Sequence, residues 1–316
     1  MFEVKLYEPS MATAWDEFVS HSRNATFLHK RGYMDYHADR FSDHSLVFFS
    51  ERGTIAALLP ANERNGELFS HGGLTYGGLL LSAKTSATHC MELVDELIAY
   101  MRKNSLSKLH YKQIPTIYHR LPSQDDEYAL WRHGAQLEVC NMATAIDLRS
   151  PMGISVERRR KRGLRMAEEQ DFTLCFNAPV SELWSIVESN LKLRYDTRPV
   201  HTLSEMELLA SRFPNNIKCV VARNKQGIVE GGVVLYISNE VVHAQYGHAT
   251  PEGYDHHVMD LVYSSIIQRA QSSGFHFFDF GTSNEQSGRY LNPSLISLKE
   301  GFGGHGIAYK QWVLSV

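Results

Sequence analysis

Residues 240–281 read EVVHAQYGHATPEGYDHHVMDLVYSSIIQRAQSSGFHFFDFG. EVVHAQYGHA and FHFFDFG have strand character, and between them one helix spans roughly His257 to Gln271. Its Val258, Leu261, Val262, Ser265 and Ile266 recur on one face. Upstream, helical patterns cover Val180–Arg194 and Ser204–Arg212, and two strands flank a turn at Asn224–Gly227. Downstream come a helical pattern in SLISLKEGF and the strand IAYKQWVL. The first half has the same order. Helices near Thr13–His21 and Lys30–Arg40 precede a hairpin at Glu51-Arg52-Gly53, the Gly-rich segment Ser70–Leu81 and a helix over Thr88–Lys103. The strand KLHYKQI, a short helix near Asp126–His133 ending at Gly134, and the strand LEVCNMATAIDL complete it. The main helices are offset by 169 residues (88 to 257), the hairpin turns by 174 (53 to 227) and Gly134 and Gly303 by 169. Both halves read α-α-β-β-β-α-β-α-β, which favours a duplication of plan over chance alternation.

Length and composition agree with two domains. The chain has 316 residues, of which 43% are hydrophobic and 21% charged, and 32 basic against 35 acidic residues leave a net charge of −3. That excludes a disordered chain and a globally basic nucleic-acid protein, and DNA is not an expected partner. No apolar run approaches the ~18 residues of a spanning helix, and MFEVKLYEPS carries no secretion signal. Cys90, Cys140, Cys175 and Cys219 share no CxxC spacing and read as reduced and buried, which implies a cytoplasmic protein. No histidine spacing reads as a metal site. The expected division is 1–150, a basic linker helix over 151–170, and 171–316. That linker carries Arg158, Arg159, Arg160, Lys161, Arg162 and Arg165. It reads as an exposed helix, with RNA phosphates the sharper alternative.

The ordered plan resembles the GNAT acyltransferases, and two such units in tandem resemble their FemAB-like branch. FHFFDFGTS (275–283) is similar to that branch's D-F-G-containing strand end, and ISLKEGFGG (296–304) to its L-K-x-x-F-G segment. VERRRKRGLRMAEEQDFTL (156–174) is similar to its basic helix leading into the second unit. SHGGLTYGGLL (70–80) and RPVHTLSEMELLASRFP (198–214) resemble strings of bacterial members tied to envelope or exopolysaccharide work. The resemblance implies an α/β (α+β) fold of two GNAT-like domains, each a mixed central sheet flanked by helices. It implies N-acyl transfer, from acyl-CoA as co-substrate, to an amine of a sugar or cell-envelope precursor. A FemAB-type transferase using aminoacyl-tRNA on a peptidoglycan precursor is one alternative, and a non-catalytic binding protein another. Acetyl-CoA users hold a pyrophosphate on a Gly-rich loop at the main helix. Here that loop is 250–257, with Gly253, His256 and His257 as candidate cofactor contacts and Glu252 unfavourable.

In the resembled fold a backbone N–H stabilises the oxyanion where the fourth and fifth strands splay, which places chemistry near Gln245–Ala249 and Asp279–Ser283. His248 is the candidate base and Tyr246 the candidate acid or orienting group. Asp279, between two phenylalanines, must be paired or carry a raised pKa. Arg194, Tyr195, Arg198 and His201 form a polar cluster suited to phosphate or carboxylate. Lys299 is a further substrate contact, or half of an exposed pair with Glu300. His71 and Tyr76 sit in a Gly-rich segment that could approach a ligand, or simply form a bulged strand.

Overall fold

The computed structural model describes residues 2–316, except for the side chain of Tyr195, which lies outside the described residues. Contact density divides the chain into two compact units. Unit 1 holds residues up to Asn141, Gln286–Gly288 and Ala308–Val316, and unit 2 holds Met142–Glu285 and Arg289–Ile307. The segment expected as a linker over 151–170 thus belongs to unit 2, and the last strand returns its end to unit 1.

Unit 1 runs β1 (Glu3–Leu6), α1 (Ala12–His21), α2 (Arg31–Met34), β2 (Leu46–Phe49), β3 (Ile55–Leu59), β4 (Asn62–Arg64), β5 (Glu67–Phe69), β6 (Leu80–Leu81), α3 (Ala87–Lys103), β7 (Lys108–Lys112), α4 (Asp125–Arg132) and the start of β8 (Gln136–Asp147). The β1-β2-β3-β6 sheet is antiparallel throughout. A second run pairs β4 with β5 antiparallel and β5 with β7 parallel. The β4–β5 hairpin is an insertion relative to the plan read from the sequence. It leaves the strand before α3 and the strand after it in different sheets. α3 forms where the sequence places it: Ser86 caps it, accepting the His89 N–H, and Leu93, Val94, Leu97 and Met101 are buried. The helix expected over Lys30–Arg40 shortens to α2 and a 3-10 turn at Asp35–His37. There Asp35 and Asp43 hold the Arg31 guanidinium, and tertiary contacts override helix propensity.

Unit 2 continues with the end of β8, α5 (Arg158–Glu168), β9 (Thr173–Cys175), α6 (Ser181–Tyr195), α7 (Leu203–Arg212), β10 (Ile217–Arg223), β11 (Val229–Ser238), β12 (Val241–Ala249), α8 (Pro251–Asp255), α9 (Val258–Ser272), β13 (Phe277–Thr282), β14 (Asn284–Glu285), β15 (Tyr290–Leu291), α10 (Pro293–Glu300) and β16 (His305–Ser315), whose last residues belong to unit 1. Its sheet runs β8-β13-β12-β11-β10-β9. Only β12 and β13 are parallel, as α9 connects them. One face of β11 and β12 packs on α9 through Val233, Leu235, Val242, Val262 and Ile266. The other meets α6, where Gly232 leaves room for Leu183. The helix expected to start at His257 is preceded by α8, and His257 breaks the two with a φ of 57°. Cys90 and Cys219 are buried, but Cys140 is exposed and Cys175 half-buried, a correction to the reading of all four as buried. No helix among the described residues is long and apolar enough to cross a membrane.

Candidate active site

β12 and β13 stay in register for three rungs, Val241–Phe277, Val242–Phe278 and His243–Asp279, and then part. β12 continues along β11 to Ala249, while β13 follows β8 to Thr282 through a break in register after Asp279. This V is the splay the sequence reading required. A bulge sharpens it. Ala244 pairs with Leu235 but Tyr246 pairs with Val234, so Gln245 is the extra residue. In a regular strand His243 and Tyr246 would point to opposite faces. The bulge resets the alternation, so His243, Tyr246 and His248 lie opposite Tyr236, Val234 and Gly232 and share the face turned to α6.

At the apex, Nδ1 of His243 lies 2.8 Å from Oδ2 of Asp279. Asp279 is fully buried, and its other oxygen accepts the Gly281 N–H at 2.8 Å. A buried carboxylate beside Nδ1 selects the tautomer in which Nδ1 donates and Nε2 has the lone pair. Gly281 has a φ of 72°, and a Cβ there would stand 3.1 Å from Cε1 of His243. Lys299, read either as a substrate contact or as half of an exposed pair with Glu300, is buried. Its Nζ donates to the carbonyls of Gly281 (2.9 Å) and Thr282 (2.6 Å). Burial lowers its pKa to about 8, opposed by Asp279. The buried hydroxyls of Thr144 and Ser283 make no hydrogen bond among the described residues, and Gly304 fits closely against Thr144 and the Lys299 carbonyl.

Further along the same face, the Tyr246 hydroxyl meets Nδ1 of His201 at 2.7 Å, and its ring stands edge-on to Trp184. Burial raises the Tyr246 pKa. His248 is half-buried; burial, and secondarily Arg194, lower its pKa to about 4. It is neutral at pH 7 and a weak base. Arg194 stacks 4.3 Å over Tyr254 and lines a cavity of about 510 Å³ between α6 and α8, whereas Arg198 is exposed. Tyr246, His201, His248 and Arg194 are therefore one row.

The loop expected to hold a pyrophosphate is otherwise engaged. Thr250 accepts the Gly253 N–H at 3.0 Å, and a Cβ at Gly253 would lie 2.3 Å from the Glu230 carbonyl oxygen, so this glycine serves packing. His256 bonds Glu230 at 2.8 Å, and Nδ1 of His257 lies 3.3 Å from Asp260. Asp260 occupies the first turn of α9, where a bound anion would sit. It is buried and paired with Arg160 at 2.7 Å. Gly163 of α5 closes over it: a Cβ there would lie 2.3 Å from Oδ2 of Asp260. The opposite face of α5 exposes Arg158, Lys161, Arg162 and Arg165 at i, i+3, i+4 and i+7, and none meets a carboxylate among the described residues.

His71 and Tyr76 belong to unit 1 and are buried there. His71 has a φ of 61°, stacks 5.0 Å from His37 and is lowered by burial to about 3. Tyr76 reaches Thr26 and packs at a tilt against Tyr118. Gly73 seats the His37 ring and Gly78 the Tyr111 ring, so the glycines of this segment allow close packing. The sequence reading missed His243. Its signal was faint: VVH (241–243) and FFD (277–279) put a histidine and an aspartate on the same rung of parallel strands.

Residues 155–290 match the family model of the acetyltransferase (GNAT) domain. No curated protein matches the chain. FemX superposes with a TM-score of 0.71 at 11% identity, covering 99% of this chain and 97% of that one. L-PGS from Bacillus licheniformis gives 0.62 at 13% identity, with 98% and 93% covered. A tandem GNAT protein from the clavulanic acid biosynthesis pathway gives 0.51 at 12%, with 100% and 98% covered. Such identities speak of fold alone, and that fold agrees with the strand splay in unit 2. Residues 155–290 therefore match the acetyltransferase (GNAT) domain, within a fold that the chain shares with FemX.

Proposed function

We propose that this protein moves an aminoacyl group from the ester end of a charged tRNA onto a primary amine of a cell-envelope precursor, in the V between β12 and β13. The observation that carries the choice of donor is the two-faced helix α5. Its inner face covers the first turn of α9 with Arg160 and Gly163, leaving no open anion seat there, and its outer face is a four-residue basic stripe. A nucleic-acid backbone suits that stripe. FemX and L-PGS share the fold, which is compatible with this reading.

The chemistry then follows from the site. The acceptor nitrogen forms a bond to the acyl carbon, and the ester C–O bond breaks. Nε2 of His243 takes the ammonium proton, with Asp279 fixing the ring and balancing the charge. Backbone N–H groups of β12 beyond His243, which have no ladder partner on β13, are candidate donors to the oxyanion. The proton passes on to the departing ribose oxygen. Lys299 holds the carbonyls of residues 281 and 282 and so the shape of the V. Arg194 at the cavity mouth suits a phosphate or carboxylate of the acceptor.

An acyl-CoA donor is the second reading, favoured by the acetyltransferase family model. Thermal-shift titrations with charged tRNA, uncharged tRNA, acetyl-CoA and longer acyl-CoAs separate the two. A concentration-dependent rise with charged tRNA, weakened by salt, is expected. A rise only with an acyl-CoA moves the donor to the thioester and overturns the tRNA reading.

A further inference from the structure

On the face of the unit 2 sheet turned away from the His243–Asp279 pair lies a second cavity, of about 300 Å³. Its wall is apolar: Val220 of β10, Leu235 of β11, Val242 of β12, Ile266 and Ala270 of α9, and Phe275. Lys218 and Arg269 also line it, and no acidic residue does. Lys218 donates to the Asn177 amide oxygen at 3.2 Å. Arg269 is exposed and lies 4.6 Å over the Phe176 ring. Among the described residues neither cation meets a carboxylate.

We infer that this cavity binds a single alkyl chain bearing an anionic head, the chain among Val220, Leu235, Val242, Ile266 and Ala270 and the head between Lys218 and Arg269. The volume is at the lower end for ligand pockets, of about 300–1,000 Å³, and suits one slender chain rather than a ring system. The largely apolar wall supplies affinity without direction. Two uncompensated cations supply the direction, because an anion there meets attraction on both sides and no acid to repel it. The site is separate from the acyl-transfer V: Val242 faces the cavity, while its neighbour His243 faces α6.

The test is calorimetric titration of the whole chain below micellar concentration. The probes are octanoate, decanoate, dodecanoate, dodecyl phosphate and, as an uncharged head on the same chain, dodecyl maltoside. One site per chain is expected, with affinity rising about fourfold per added methylene and then levelling as the cavity fills. Lys218→Gln with Arg269→Gln, both at the surface, weakens anionic probes at least tenfold and leaves acyl transfer unchanged. Ala270→Leu fills the cavity and abolishes binding. Tighter binding of dodecyl phosphate than dodecanoate identifies a phospholipid-type head, and the reverse a free fatty acid. Equal affinity for dodecyl maltoside, indifference to both variants, or no binding overturns the proposal.

Discussion

His243 and Asp279 occupy the last shared rung of the parallel strands β12 and β13, with Nδ1 and Oδ2 2.8 Å apart, and past them the strands diverge. The pair therefore stands where β12 and β13 stop hydrogen-bonding to each other. A buried aspartate there would be costly unless paired, and its two oxygens are met by His243 and by the Gly281 N–H. The same carboxylate thus fixes an imidazole and shapes the turn that opens the cleft.

On the proposed mechanism His243, rather than His248, is the general base. His243→Gln is expected to lower kcat by about 10²–10⁴-fold, the range for a general base, with KM little changed. His248→Gln is expected to change kcat less than about threefold, because His248, with its pKa lowered to about 4, is a poor acceptor of an ammonium proton. Steady-state kinetics of the two variants checks this. A larger loss in His248→Gln than in His243→Gln would return the base to the position read from sequence.

Lys299 gives the site an alkaline limit. Its folded pKa of about 8 lies below the ordinary 10.5, so the cation bridging the Gly281 and Thr282 carbonyls is present below about pH 8 and lost above it. Activity should fall as pH rises through 8. Stability moves the other way. Between about 8 and 10.5 the unfolded lysine holds a proton that the folded one has lost, so this residue's contribution to stability rises with pH. Lys112, also lowered to about 8 by burial, acts in the same sense. A pH profile of kcat/KM is expected to show the falling limb near 8. Lys299→Arg, which keeps its charge, should move the limb upward. An unmoved limb would assign it to another group.

Much of the architecture was legible because it rests on periodicity. α3 and α9 bury faces that recur at helical spacing, and each is followed by a strand, a shorter helix and a long strand, as the sequence order implies. What could not be read depends on single-residue events. Nothing marks Gln245 as a bulge, yet that one insertion decides that His243, Tyr246 and His248 share a face. Gly253 looked like a phosphate-loop glycine because a glycine that contacts a ligand and one that contacts a carbonyl are the same letter. Lys299 looked exposed beside Glu300; its burial comes from α10 packing, which no local pattern encodes.

The basic stripe makes a prediction in salt. Arg158, Lys161, Arg162 and Arg165 are exposed on one face of α5 and carry no acidic partner among the described residues. If all four lie against tRNA phosphates, replacing them with glutamine should make the slope of log K against log salt shallower by roughly 3 to 4. Thermal stability should hardly change, since isolated surface charges contribute little. Filter-binding of charged tRNA across a salt series measures this. An unchanged slope would remove the stripe from the interface.

Gly163 carries the last prediction. In an exposed helix, alanine would be favoured over glycine by about 1 kcal/mol. Here its methyl would lie 2.3 Å from the Asp260 carboxylate, which Arg160 and His257 hold in place. Overpacking of this kind costs about 1–3 kcal/mol, so Gly163→Ala should lower the Tm in spite of the better helix former. Removing the obstruction should reverse the sign. In an Asp260→Ala background the same change should be neutral or stabilising, a coupling that a double-mutant cycle of denaturant midpoints resolves. Stabilisation by Gly163→Ala in the unaltered chain would mean that α5 does not close over α9. The first turn of α9 would then be open to a bound anion, and the argument for an aminoacyl ester over an acyl-CoA would lose its footing.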